Sequence, residues 1–224
     1  MNLNMKLLII ALAPVFIIAV YVYYRDKYER EPLGMLLKAL LLGVLIPLPV
    51  IVLERFLSGI KPDFPGAWPA FYDAFIVAAF SEELFKLLAL YLLVWKSSHF
   101  NEKFDGIVYA VFISLGFAGV ENILYVFQHG EMTGYTRALV SVPGHALFGV
   151  TMGFYFGLAK FYPNRRREFL LKSFLYPLVL HGIFDFILML GNYRLMILFV
   201  PFVIFLYFDG LRKMKNLSDR SIFR

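Results

Sequence analysis

The residues best equipped for chemistry are ionisable groups set inside segments that are otherwise apolar. Glu82-Glu83-Leu84-Phe85-Lys86 places two carboxylates and an amine within one or two turns of a helix. Glu121-Asn122, His145, and His181 with Asp185 stand in three further apolar segments. Each charge near a bilayer centre costs about 2.5–3.5 kcal/mol on insertion scales, so a chain that keeps several has paired them or uses them. Glu82 and Lys86 are i,i+4, in the favourable acid-before-base order, and Glu83 is i,i+3 from the same lysine. His181 and Asp185 are also i,i+4. Asp185 can therefore hold a ring N–H of His181 and set its tautomer, or both can face a metal or a water. Phe117, Glu121 and Tyr125 form another stripe of the same period.

Carboxylates and imidazoles together support two kinds of hydrolysis. In one, a carboxylate activates water as a general base, with Glu82 the candidate, and a proton is returned to a leaving amine. In the other, a metal does the activation, with Glu121, His145 and His181 as candidate ligands and a carboxylate as base. A proton- or ion-coupled carrier is the non-hydrolytic rival, since buried acids and histidines also form relays. Against the carrier, the chain has no internal repeat and no pair of broken spans. Plainer readings exist for single residues. Glu83 and Lys86 suffice as a neutralising pair, His145 as a packing histidine, and Asn122 as interhelical glue or a site donor. His-Glu-x-x-His, glycine-rich phosphate loops and a nucleophile elbow are absent. So is cysteine, which excludes thiol and disulfide chemistry.

These groups need helices to position them. The 224 residues are 60% apolar and only 17% charged, against about 25% charged in soluble domains, and the apolar residues come in long blocks. That predicts an all-α polytopic membrane protein, a single domain over residues 1–224 built as a bundle of about seven transmembrane helices. The spans are expected near 7–24, 33–56, 71–95, 105–127, 137–160, 169–190 and 195–211, with Pro47 and Pro49 bending the second. Loops are expected between them, including 58–70 and 128–136. Gly149, Gly153 and Gly157 make a small-residue ridge suited to close helix packing. Of the 22 Lys and Arg, 16 fall on one set of faces and 5 on the other, with Lys86 inside. The split predicts the N-terminus outside and the C-terminus in the cytoplasm, and it explains the net charge of +6 without nucleic acid. At about 1.5 Å per residue, Glu82, Glu121, His145, His181 and Asp185 lie about 8–17 Å from the outer ends of their spans. Groups from four helices at one depth predict one site.

Glu82-Glu83-Leu84-Phe85-Lys86, Phe117-Ala118-Gly119-Val120-Glu121 and His181-Gly182-Ile183-Phe184-Asp185 resemble the EExxK, FxxxE and HxxxD motifs of the PrsW family. The Asp26 to Pro32 loop, Phe104 to Tyr109 and Gly144 to Leu147 are similar too. The likeness runs from about residue 14 to residue 213 and is specific. It implies an intramembrane endopeptidase of the bacterial plasma membrane. Its implied substrate is a single-pass anti-sigma factor, cut first near the outer face under envelope stress and then by a site-2 protease. The family is distantly similar to the CAAX prenyl proteases, which leaves a prenyl-peptide endopeptidase as an alternative. In that wider group a first-motif glutamate activates water while His and Asn assist. This chain has Glu121 in place of the second motif's His and Asp185 in place of the third motif's Asn. The extra carboxylates favour a cation, zinc being the one implied, over a metal-independent glutamic mechanism.

Overall fold

The computed structural model describes residues 2–219, so Arg220 and Arg224 of the basic tail lie outside them. Ten α-helices carry the described chain: α1 Leu3–Arg25, α2 Leu33–Leu45, α3 Pro47–Gly59, α4 Trp68–Phe71, α5 Phe80–Val94, α6 Asp105–His129, α7 Glu131–Leu139, α8 Ser141–Phe161, α9 Arg166–Leu190 and α10 Tyr193–Ser218. No strand occurs among the described residues. Six helical stretches are long and apolar enough to cross a membrane. The remaining expected span corresponds to the continuous segment from α4 through a π-helical stretch, Tyr72–Ala79, into α5, which holds the charged residues Glu82, Glu83 and Lys86.

The second span breaks at Ile46, where the chain leaves α2 and re-enters a helix at Pro47. The break is the bend expected there, because Pro47 and Pro49 lack the N–H groups that would continue the ladder. Residues 128–136 are not a loop. α6 runs on to His129, Gly130 turns the chain with φ +84, and α7 follows at once. α7 is amphipathic, and its mixture of charges and apolar residues reads as loop composition when helical periodicity is ignored. α10 likewise continues to Ser218, because its polar tail keeps helical geometry beyond the apolar stretch.

α6 is the axis of the bundle. It is buried from Asp105 to Gly119 and packs against α1, α2 and α8. Small residues permit close approaches on two sides of α6, Gly43 of α2 against Gly116 on one and the glycine ridge of α8 on the other. A Cβ on Gly153 would stand 2.2 Å from the Gly106 carbonyl oxygen, and one on Gly157 would stand 2.2 Å from that of Lys103. Without a hydrophobic gain between helices in lipid, such backbone contact is what holds them.

The two ends of α6 meet different polar groups. At its first turn Asp26, Glu31, Glu102 and Asp105 are all under 5% exposed. The backbone N–H groups of Asn101 and Glu102 donate to Asp105 Oδ2 at 2.8 Å, Tyr109 donates its hydroxyl to Glu31, and the Glu31 N–H donates to Asp26 Oδ2. These bonds tie the α1–α2 loop to the base of α6. Burial pushes the carboxyls of Asp26 and Glu31 up to about 7. A carboxyl raised in this way holds its proton in the folded chain and releases it on unfolding. Its stabilising effect is complete below the unfolded value and is lost as pH rises toward 7. The thermal midpoint in detergent should therefore fall by several degrees from about pH 5 to about pH 8. Glu31→Gln should flatten that slope. An unchanged slope in the variant would remove Glu31 from the account.

Candidate active site

The other half of α6 faces the chemistry. Glu82 and Glu83 occupy the first turn of α5, directly after the π-helical stretch, and Lys86 follows one turn later. Spacing alone allowed Lys86 to reach either acid. In the structure it reaches both, with Nζ 3.0 Å from Glu82 Oε2 and 2.8 Å from Glu83 Oε1. The Phe117 ring lies under the ammonium at 4.4 Å and adds a cation–π contact. All three ionised side chains are almost fully buried. Two carboxyl groups share one ammonium.

α8 and α9 bring imidazoles to this group. His145, from the second turn of α8, has Nε2 2.8 Å from Glu121 Oε2 on α6 and Nδ1 3.3 Å from Lys86 Nζ. Both contacts select one tautomer, in which Nε2–H donates to Glu121 and the bare Nδ1 accepts from Lys86. That Nδ1 is 3.8 Å from Glu82 Oε2. His181, on α9, places Nδ1 3.0 Å from Glu83 Oε1. Its Nε2 is 3.2 Å from Asp185 Oδ2 and 4.0 Å from Glu82 Oε2. The ring stacks on Phe148, centroid to centroid 4.8 Å. Gly182 lets α9 come this close, since a Cβ there would meet the Phe75 ring at 2.3 Å.

The two sides differ. His145 turns Nε2 to Glu121 and Nδ1 to Lys86, whereas His181 has a carboxylate on each nitrogen, and Glu82 Oε2 stands 3.8 and 4.0 Å from the inner nitrogens. Ligand atoms of Glu82, His145 and His181 lie within 4.8 Å of one another, the one such group among the described residues. Two His and one Glu form a donor set used by catalytic zinc, and carboxylate-backed imidazoles are its usual support. Zinc bonds of about 2.0–2.1 Å in a tetrahedron put ligands roughly 3.3 Å apart, against 3.8 and 4.0 Å from Glu82 Oε2 to the two ring nitrogens. The residues therefore fit a divalent transition metal. The set differs from the one expected from sequence, because Glu82 stands where Glu121 was placed. Glu121 Oε2 is taken up by His145 and by Arg137, whose guanidinium nitrogen is 2.8 Å away.

These groups line a cavity of about 820 Å³ that also meets Glu54, Lys61, Asp73, Arg137 and Asp185. A second cavity, about 500 Å³ between α1, α8 and α10, is apolar and remote from these side chains. Lys61 and Asp73 neutralise one another at 2.9 and 3.0 Å. Asn122, a candidate donor to the site, turns instead to α1. Its Nδ2 donates to the Ala11 carbonyl at 2.7 Å, while its Oδ1 accepts from Arg137 Nε at 3.0 Å. Glu54 and Arg137 were missed. Glu54 is a carboxylate within the apolar second span, which was signal enough. Arg137 was counted only among the five cations of the outer faces, at the start of the expected fifth span, because α7 was not recognised as a helix.

The family described as PrsW family intramembrane metalloprotease matches residues 31–208, a range that holds all three motifs. Proteins named Protease PrsW are similar over nearly their whole length. That of Clostridioides difficile (strain 630) is 38% identical over 230 residues, covering 99% of this chain and 96% of its own. The Geobacillus kaustophilus (strain HTA426) protein is 42% identical over 206 residues, covering 91% and 88%. The Bacillus subtilis (strain 168) protein is 41% identical over 207 residues, covering 92% of each. No solved structure matches.

Metal content tests the group directly. Protein purified without chelator should carry about one divalent transition metal per chain by elemental analysis. His145→Asn and His181→Asn should each lose most of it, and Glu121→Gln should weaken affinity by roughly 10–100-fold. Full metal content in both histidine variants would rule this group out.

Proposed function

The chain belongs to the PrsW family of intramembrane metalloproteases, and from that premise we propose that it makes the site-1 cut in a single-pass membrane anti-sigma factor. The cut lies near the outer face of the bacterial plasma membrane, and a site-2 protease then acts on the product to release the sigma factor. One observation carries the hydrolytic reading: two carboxylate-backed histidines and a glutamate, from three helices, converge on the floor of a cavity. Depth supports a cut near one face. The site lies in the half of the bundle that also holds the N-terminus, where Lys6 pairs with Glu131 at 2.6 Å. Basic residues concentrate at the opposite end, which favours the cytoplasm there.

Glu82, His145 and His181 would hold the metal. When bound, it supplies Lewis-acid polarisation of a carbonyl and activation of water near neutral pH. The protein's own groups do the rest. Glu121 takes the Nε2–H of His145, while Glu83 and Asp185 face the two ring nitrogens of His181 and fix its orientation. Lys86 lies between the paired carboxylates and offsets their charge. Glu82 was the base expected from sequence, but its inward Oε2 suits it to hold the metal. The base role then passes to Asp185. Its side chain is 21% exposed, beside His181 and on the cavity. Asp185 accepts a proton from the attacking water and returns it to the leaving amine, a contribution typically worth 10²–10⁴-fold.

Proteoliposomes holding a panel of single-pass substrates, with and without chelator, test this reading. Cleavage should require metal and should vanish in Glu82→Gln together with the metal. Asp185→Asn should keep the metal and lose at least about 100-fold in kcat. Cleavage by metal-free protein would overturn the metal reading. Proton-coupled flux without peptide product would restore the carrier, and selective cleavage of prenyl peptides the CAAX-type activity.

A further inference from the structure

α7 lies across the end of the bundle that holds the site, and Gly134 is its one buried residue. Its last turn nevertheless sends a side chain inward. The Arg137 side chain is only 12% exposed and lines the cavity. Nothing about a surface helix requires this, and burying a guanidinium costs desolvation unless its hydrogen bonds are met. Three groups on α6 face it, although only Nε makes a hydrogen bond and Nη2, beside Glu121, has no hydrogen-bond partner among the described residues. Asn122 Oδ1 accepts from Nε at 3.0 Å, Glu121 Oε2 stands 2.8 Å from a terminal nitrogen, and the Tyr125 ring centroid is 4.1 Å from Cζ. Asn122 is itself held from α1, by its 2.7 Å bond to the Ala11 carbonyl. That carbonyl lies within a turn of Pro14, whose missing N–H loosens the local ladder. The plane of the guanidinium is thus set by α1 and α6 before it meets Glu121.

Glu121 is the exposed member of the site's supporting carboxylates, at 23%. Without a partner it can turn into the cavity, where it would leave His145 unsupported and compete with Glu82 for a cation. With Arg137 in place, one oxygen serves both the guanidinium and His145 Nε2. We propose that Arg137 is a positioning residue of the active site, which holds Glu121 so that His145 keeps its proton on Nε2 and turns a bare Nδ1 toward Glu82. The chain of contacts runs from α1 through Asn122, Arg137 and Glu121 to His145. It extends the proposed function above and rests on it for its effect on cleavage. Lysine would not replace this arginine. A single ammonium can pair with Glu121, but it cannot also present a second fixed donor to Asn122 while lying flat on Tyr125.

The chain has four histidines, so selective ¹⁵N-histidine labelling can isolate the His145 ring signals, with His145→Asn for assignment. In metal-free protein in detergent at a fixed pH, wild type should show the Nε2–H tautomer, and Arg137→Gln should show a mixture. Zinc affinity, measured against a competing chelator, should weaken about 10-fold or more, as for loss of other groups that orient a metal-bound imidazole. Arg137→Lys should fall between the two, and it is the milder variant should the glutamine disturb folding. In the cleavage assay kcat should drop about 10-fold with KM within twofold. Wild-type tautomer and wild-type zinc affinity in both variants would overturn the proposal and leave Arg137 a packing residue. If wild type itself binds no zinc or cuts no substrate, the functional reading fails, and the tautomer comparison still decides the role of Arg137.

Discussion

The structure depends on one ammonium shared by two adjacent carboxylates inside a membrane helix. Lys86, Glu82 and Glu83 are each under 7% exposed. Such a group is stable only if every charge is met, because the penalty for an unpaired buried ion is several kcal/mol. One lysine meets both glutamates, and two other helices bring His145 and His181 against the same group. Those imidazoles in turn need acceptors for their outward N–H groups, which Glu121 and Glu83 supply. The requirement passes outward from helix to helix, and it ends at Arg137 on α7 and the Ala11 carbonyl on α1.

Close packing makes this possible. The bonds between His181 and Glu83 and between His145 and Glu121 are 2.8–3.0 Å long and tolerate little misplacement. α9 is held to the π-helical stretch by the contact of Gly182 with Phe75, and α8 to α6 by Gly153 and Gly106. A π-helical stretch inside an α-helical segment is uncommon and is often found beside functional groups. Here it ends three residues before Glu82. The glycines do no chemistry, but they set the interhelical distances on which the hydrogen bonds rest.

α6 joins two polar systems of different design. Near Glu121 the acids have cationic or imidazole partners and border a cavity. At Asp105 four acids crowd together and are met chiefly by backbone N–H groups and Tyr109. The first arrangement keeps charge available to a ligand. The second holds protons as it clamps a loop, so burial raises the carboxyls of Asp26 and Glu31 to about 7.

Much of the fold was legible in the order of residues. Long apolar blocks require helices, because backbone polar groups in lipid must be satisfied within the segment. The i,i+4 spacing puts Lys86 beside Glu82 and His181 beside Asp185 whatever the surroundings, since 3.6 residues per turn fix neighbours along one helix. Spacing says nothing about how one helix is rotated against another. Only the tertiary structure decided that His145 takes Glu121 as its acceptor, that Asn122 faces α1 and not the cavity, and that Glu54 and Arg137 line the cavity. It also decided that Glu82 lies near both histidines while Glu121 meets His145. Each of these is a contact between helices, set by packing and glycine approach rather than by any period in the chain.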